Sequence, residues 1–239
     1  MKPEEGLGEV WQETEDALIK TIPVYDQGNR VISFGRDRRF RREGIAKTVK
    51  RGDRVLDLGC GPGTMSRILL DTVDDVSELV LMDPLRQMLS AAKSTFSGDS
   101  AQMTSGIFEH LPFRDDTFDV VMCGFSFRDA QNYREAIEEI GRILKRGEGR
   151  LLIVDLGKPD SRLRRWLVGT YFRFIAGFLT FLILGRKGLV FSSIYPTYRK
   201  YPKVSRTRSL LEAQFGEVTI ETRMLGGAMI AIARQPNKV

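Results

Sequence analysis

A strand that runs directly into a glycine-rich turn and then a helix commits a chain to a layered α/β sheet. Residues 54–70 spell that unit. Val55-Leu56-Asp57-Leu58 is a short apolar run carrying one acid, Gly59-Cys60-Gly61-Pro62-Gly63 is the turn, and Thr64-Met65-Ser66-Arg67-Ile68-Leu69-Leu70 repeats apolar residues three and four apart, as one face of a helix does. Glycines at such a turn let the backbone take positive φ and let a ligand approach with no Cβ in its path. The unpaired N–H groups of the helix start then face the crevice.

What fits that crevice follows from a second acid. Glu78-Leu79-Val80-Leu81-Met82 reads as the next strand and ends at Asp83, twenty residues past Gly63. An acid at the end of the second strand of an open sheet can accept hydrogen bonds from both ribose hydroxyls. The structural alternative is an Asp83 that only caps the following helix. The turn is not the Gly-x-Gly-x-x-Gly of dinucleotide sites, because Thr64 stands three residues beyond Gly61. Asp57 beside the turn would repel a pyrophosphate but attract a ligand amino group. Both points favour S-adenosylmethionine, with its α-amino group and sulfonium, over a nicotinamide dinucleotide.

The rest of the chain alternates strand and helix as a doubly wound sheet does. Strands are expected at Arg54–Leu58, Leu79–Met82, Met103–Ile107, Phe118–Gly124 and Arg150–Leu156, and helices at Thr64–Leu70, Arg86–Thr95 and Tyr133–Leu144. A helix over Ser205–Gln214 and two strands, Val218–Arg223 and Ala228–Ala233, close the chain, and an amphipathic helix over Glu9–Ile19 opens it. With 239 residues, 42% of them hydrophobic and 28% charged, one α/β domain with embellishments is affordable. The chain divides as an N-terminal helical cap (1–44), a nucleoside-binding core (45–157), an apolar insertion (158–202) and a C-terminal helix and hairpin completing the sheet (203–239).

Charge and cysteine content narrow the setting. The net charge of +6 favours anionic partners such as acidic lipid headgroups. Two cysteines, Cys60 and Cys123, and a single histidine, His110, have no metal-ligand spacing, so no metal is expected. Two thiols without a disulfide framework suit a reducing cytoplasm, and the polar start Met1–Glu5 does not resemble a secretory signal. The run Arg36-Asp37-Arg38-Arg39-Phe40-Arg41-Arg42 reads either as a solvated helix face or as a rim meeting an anionic surface.

Trp166 to Leu184 is almost wholly apolar, with one charge at Arg173, and is flanked by Arg162, Arg164 and Arg165 before and by Arg186 and Lys187 after. Its length sits at the lower edge of the roughly 17–25 residues of a spanning helix. A central arginine costs about 2.5–3.5 kcal/mol on insertion. A single crossing would also part the fifth strand from the final hairpin of the same sheet. A re-entrant hairpin bent at Gly177 escapes that objection. The remaining readings are an interfacial element, with aromatics in the acyl region and basic flanks on phosphates, and a buried cap or homodimer interface. Dense aromatics and basic flanks favour the interfacial reading.

The order and spacing of Val55–Gly63, Asp83, Phe108-Glu109-His110-Leu111-Pro112-Phe113 and Thr117-Phe118-Asp119-Val120-Val121 resemble those of the class I S-adenosylmethionine-dependent methyltransferases. A narrower set resembles the ubiquinone/menaquinone C-methyltransferase family: Tyr25-Asp26-Gln27-Gly28-Asn29-Arg30, Phe125-Ser126-Phe127-Arg128-Asp129, Val154-Asp155-Leu156-Gly157-Lys158-Pro159, and the stretch from Ile194-Tyr195-Pro196 to Tyr201-Pro202. The chain departs from the family pattern at Pro62, where Thr is typical, at Ile107, where an acid or Asn usually holds the adenine amino group, and at Asp129, where Asn is typical.

The resemblance implies a Rossmann-like α/β sheet, mostly parallel with the last strand antiparallel, and S-adenosyl-L-methionine as cofactor. Asp57, Gly59, Gly61 and Gly63 would surround its methionine part and Asp83 its ribose. Met88, Phe108 and Glu109 would lie along the adenine. Methyl transfer to a ring carbon needs a neighbouring hydroxyl deprotonated, by a base or by a cation that stabilises the phenolate. Arg128 is the leading candidate, with Asp129 orienting a water and Tyr25 closing the pocket; a surface ion pair and helix cap is the alternative for Arg128 and Asp129. The acceptor implied is a lipophilic polyprenyl quinol at an anionic membrane surface. Other lipids or hydrophobic small molecules, or a non-catalytic membrane-attached assembly role, are the alternatives; nucleic acid is not expected.

Overall fold

Continuous apolar runs become strands buried on both faces, and here they form the middle of one sheet. The computed structural model describes residues 6, 15, 18–96 and 101–237. Strands β1 (Arg54–Leu58), β2 (Glu78–Met82), β3 (Gln102–Thr104), β4 (Val120–Gly124) and β5 (Arg150–Leu156) run parallel. Strands β6 (Phe215–Arg223) and β7 (Ala228–Pro236) form a hairpin, with β7 inserted antiparallel beside β5. The order is β3-β2-β1-β4-β5-β7-β6. Chain direction therefore diverges between β1 and β4, and a crevice opens at their carboxyl ends.

Alternation along the strands splits the core into two clusters. Val55, Leu81, Met122, Leu152 and Ile230 belong to one, and Leu56, Val80, Val121, Ile153 and Ala231 to the other. Helices cover them: α1 (Tyr25–Ile32), α2 (Asp37–Thr48), α3 (Thr64–Leu70), α4 (Arg86–Lys93) and α5 (Tyr133–Ile143). Helix α5 starts where Asn132 accepts hydrogen bonds from the N–H groups of Arg134 and Glu135, and it buries Ala136, Ile137, Ile140 and Ile143 at helical spacing.

Most expected elements occur within a few residues of their bounds, with informative differences. The third strand stops at Thr104 rather than Ile107, because Ile107 bridges only His110 in a tight turn. The helix expected over 9–19 falls outside the described residues except at 15, 18 and 19. The basic run is not a uniform solvated face or rim. Arg38, Arg39 and Arg42 are exposed, but Arg41 is 1% exposed. Its guanidinium donates to Asp37 Oδ2 at 3.2 Å and to the Gly124 carbonyl at 3.4 Å, and lies 4.7 Å from the centre of the Phe125 ring.

The apolar insertion folds back on itself. Helix α6 (Arg162–Thr170), a π-helical turn (Tyr171–Ile175) and α7 (Ala176–Leu184) run outward. The chain reverses at Gly185, at φ 61 and ψ −146, a conformation open only to glycine, and not at Gly177. A 3-10 stretch (Gly185–Ser193) and α8 (Ile194–Lys200) return, and α9 (Val204–Glu212) leads into β6. The Thr180 hydroxyl sits 2.9 Å from the Gly188 carbonyl and clips the two arms together. Inward residues such as Phe172, Ala176 and Thr180 are buried, whereas Leu163, Phe178, Leu182 and Ile183 face outward and exposed. A buried cap therefore describes only the inner half of this segment.

Helix α1 packs against the returning arm through Gly28. A Cβ at Gly28 would lie 1.8 Å from Cζ of Phe191. In an unobstructed helix Gly→Ala gains about 1 kcal/mol, while overpacking costs about 1–3 kcal/mol. Gly28→Ala should therefore lower the melting temperature of the wild type yet raise that of the Phe191→Ala background. Thermal unfolding of the four proteins of this cycle checks it; a stabilising Gly28→Ala in the wild type contradicts the contact.

Candidate active site

The turn after β1 takes the left-handed backbone that its glycines permit, with φ of 69 at Gly59, 54 at Gly61 and 82 at Gly63. Two carboxylates hold it. Asp57, fully buried, accepts from the backbone N–H of Ser66 at 3.0 Å and from its hydroxyl at 2.6 Å, fixing the first turn of α3. Asp83 accepts from the Gly61 N–H and from the Leu85 N–H, both at 2.9 Å. Burial pushes both carboxyls up to about 6, against the pull of those donors.

The crevice above the turn is lined by Tyr25, Gly59, Gly61, Asp83, Met88 and Phe108, together with Phe125, Ser126 and Asp129. A Cβ at Gly61 would point between Met88 Sδ and Tyr25 Cζ, at 3.9 Å from each. Phe125 is held at φ 63, a left-handed conformation uncommon for a bulky residue, where β4 leaves the sheet. Ser126 donates its hydroxyl to the Leu58 carbonyl at 2.7 Å and ties that bend to β1. The N-terminal segment is latched over the turn by Asp26, which accepts from Thr64 Oγ1 and from Arg67 Nη2, both at 2.5 Å. Leu18 and Tyr25 lie across the crevice, which encloses about 40 Å³. Ligand pockets hold about 300 Å³ or more, so the crevice must widen to admit a nucleoside.

A second chamber shares Leu18, Tyr25 and Asp129 with the first and adds Asn29, Arg128 and the returning arm of the insertion, including Phe191, Ile194 and Thr197. Arg128 and Asp129 sit in a short 3-10 turn after β4 (Phe127–Asp129), both nearly buried, which sets aside the surface ion pair. The Arg128 N–H and guanidinium both donate to Asp155 of β5, at 3.0 and 3.4 Å. Arg128 Nε stands 3.6 Å from Asp129 Oδ1, beyond hydrogen-bond reach, and both atoms are buried without a partner. Burial opposes the Arg128 charge, but Asp129, Asp155 and Tyr25 outweigh it and raise its pKa. Burial lifts Asp129 to about 7, although Arg128 pulls the other way, and it also raises Asp155 and the Tyr25 hydroxyl.

Three expected cofactor residues stand off the crevice wall. Asp57 lies beneath the turn rather than in it, and its Oδ1 has no partner. A Cβ at Gly63 would point at Phe96, 2.5 Å away, so this glycine serves close packing. Glu109 is turned aside because its Oε1 accepts from the N–H groups of Gln131 and Asn132, at 2.8 and 2.9 Å. Sequence reasoning missed Arg41, Asp155 and Ser126. The signals were there: Asp37 four residues before Arg41, and one acid inside the apolar run Leu151–Leu156.

The donor set fits a nucleoside bearing a cation. Asp83 has acceptor capacity left after its two backbone donors, Asp129 Oδ1 has no donor at all, and aromatic and thioether groups wall the crevice. Fold and site together define an S-adenosylmethionine-dependent methyltransferase with a Rossmann-like sheet. Residues 12–235 match the ubiE/COQ5 methyltransferase family, and the chain belongs to that family. It is similar to the demethylmenaquinone methyltransferases of Lactobacillus johnsonii, at 29% identity over 92% of each chain, and of Bacillus licheniformis, at 30% identity over 84% of this chain and 87% of the other. A solved S-adenosylmethionine-dependent methyltransferase from Aquifex aeolicus shares the fold with a TM-score of 0.58 at 16% identity, over 87% of this chain and 98% of that one.

An ionised Asp83 carboxylate would accept both ribose hydroxyls, and burial lifts its pKa to about 6, so protons would compete with the cofactor. Affinity for S-adenosylmethionine should fall about tenfold per pH unit below 6 and level off above 7. Asp83→Asn should weaken binding about tenfold or more at pH 7.5 and flatten that dependence. Calorimetry across the range checks both; an affinity constant from pH 5 to 8 contradicts the assignment.

Proposed function

We propose that the enzyme C-methylates the hydroxylated ring of a polyprenylated quinol of the demethylmenaquinol type, in the cytoplasm at the membrane surface. The observation that carries this reading is Asp129: it lines both chambers, keeps one buried oxygen free, and has its pKa lifted to about 7 by burial. A general base is most effective with a pKa near the working pH. The demethylmenaquinone methyltransferases that the chain resembles support the choice of ring.

S-adenosylmethionine, when bound, supplies an electrophilic methyl group. The protein's task is to make a ring carbon nucleophilic and to hold it in line. Asp129 takes the proton of the ring hydroxyl next to that carbon and the electron density passes into the ring; after the methyl is transferred, the methylated carbon loses its hydrogen as a proton, the oxygen regains one, and Asp129 releases its proton to solvent. Arg128, kept charged and fixed by Asp155, stands beside the developing phenolate and stabilises it in a water-poor chamber. Tyr25 lies at the junction of the chambers with its hydroxyl kept protonated by burial, so it can donate but not compete as the base. The bare apolar side chains of α6 and α7 suit a substrate whose tail lives in a bilayer.

With demethylmenaquinol in detergent and labelled cofactor, the product should gain one methyl on the ring. Turnover should rise about tenfold per pH unit up to 7 and level off beyond, because Asp129 must lose its proton. Asp129→Asn should lower kcat by about 10²–10⁴ with cofactor affinity nearly intact. Arg128→Lys keeps the charge and loses the fork that Asp155 grips, and should cost kcat with little change in cofactor affinity. A quinol left unmethylated overturns the substrate; an unchanged pH profile in Asp129→Asn overturns the base.

A further inference from the structure

A third cavity, about 410 Å³, lies between α6, the Tyr171–Ile175 turn and α8, away from both chambers. Lys158, Arg165, Arg173 and Arg199 line it, and no acidic residue does. Among the described residues none of these four cations is paired with a carboxylate; Lys158, Arg165 and Arg173 meet backbone carbonyls and aromatic rings instead. Lys158 donates to the carbonyls of Arg199 and Tyr201, at 2.6 and 2.8 Å. Burial and the nearby charges of Arg165, Lys203 and Arg199 lower its pKa, the mark of a site short of negative charge. Arg173 lies over the rings of Phe174 and Tyr195, at 4.9 and 5.7 Å from their centres.

An independent observation points to a ligand in the same cavity. Tyr198 lines it and is 3% exposed, yet its hydroxyl has no hydrogen-bond partner. Buried hydroxyls are almost always satisfied. This one is kept protonated, pushed up to about 12 by burial, and is close enough to feel both Arg165 and Tyr195 of the cavity wall. Guanidinium and ammonium groups with no carboxylate partner match a phosphate, whose oxygens accept several charge-assisted bonds, and a small shift of the Tyr198 ring would bring its hydroxyl to one of them.

The rim identifies the source of the phosphate. Trp166 and Phe174 line the cavity and are 65% and 62% exposed, and the apolar surface continues onto Ile175, Phe178 and Leu182. A phosphate carrying acyl chains would set its head in the cavity and lay its chains on these side chains, with Trp166 at headgroup depth. We propose that this cavity binds the phosphate headgroup of an anionic phospholipid and so orients the enzyme on the leaflet; this rests on the membrane-surface reading above.

Flotation of the full-length protein with phosphatidylcholine vesicles, with and without phosphatidylglycerol, tests it. The wild type should bind the phosphatidylglycerol vesicles about tenfold tighter or more. Arg173→Gln/Arg199→Gln and, separately, Tyr198→Phe should lose most of that preference. Arg186→Gln/Lys187→Gln, which removes the same charge outside the cavity, should keep it. Methylation of a short-chain soluble quinol should be unchanged in all of them, which shows that the variants fold. In calorimetry the wild type should bind sub-micellar dihexanoyl phosphatidylglycerol saturably, and Tyr198→Phe should bind it several-fold more weakly. Equal losses in the two double variants would mean a diffuse surface field and overturn the site. Saturation by inorganic phosphate with no competition from dihexanoyl phosphatidylglycerol would overturn the lipid in favour of a free phosphate. Wild-type binding to both vesicle types alike would overturn the headgroup site while leaving membrane docking intact, and binding to neither would overturn both.

Discussion

The hydrogen bond from the Gly61 N–H to Asp83 Oδ2 joins the turn after β1 to the end of β2, and the site is built around that junction. Asp83 also accepts from Leu85, and Asp57 pins the first turn of α3 through Ser66, so the turn is fixed from three directions. The arrangement costs free energy, since both carboxylates are desolvated and their pKa values climb to about 6. A bound cationic nucleoside would offset part of that cost.

A second buried cluster stands across the sheet divergence. Arg128 lies between Asp155 and Asp129, and Arg41 meets the same bend from α2 through the Gly124 carbonyl and the Phe125 ring. Two arginines and three carboxylates, Asp37 included, are thus buried together near the carboxyl ends of β4 and β5. Removing one member of such a cluster strands a charge at about 3–5 kcal/mol. A buried cation beside a carboxyl whose pKa burial lifts toward neutrality suits the proton abstraction proposed above. The crevice above the β1 turn and the second chamber meet at Asp129 and Tyr25, so on the proposed reading the fold would bring the two halves of the chemistry together.

Much of this was legible in the residues. The limits of β1, β5 and α3 follow directly from the runs Arg54–Leu58, Arg150–Leu156 and Thr64–Leu70, because strong local pattern and tertiary burial agree there. The spacing of Gly59, Gly61 and Asp83 was enough to put them on one crevice wall. Arg41 was less legible: charge read as surface, and only the i,i+4 carboxylate of Asp37 hinted that the guanidinium turns inward. Glu109 was misplaced because a short polar segment can satisfy either a ligand or a neighbouring helix start, and here it serves Gln131 and Asn132. The reversal falls at Gly185, where the apolar run meets Arg186 and Lys187, rather than at Gly177 inside it. It was decided by Thr180 meeting Gly188 across the hairpin, a contact no periodicity encodes.

The most direct test of the account is a crystal structure of the enzyme with S-adenosylhomocysteine, the demethylated cofactor. The ribose hydroxyls should lie within hydrogen-bond distance of Asp83, the adenine against Met88 and Phe108, and the sulfur toward the junction of Tyr25 and Asp129. A nucleoside seated away from the β1 turn, or an Asp83 carboxylate still bonded only to Gly61 and Leu85 with the ligand bound, would contradict it.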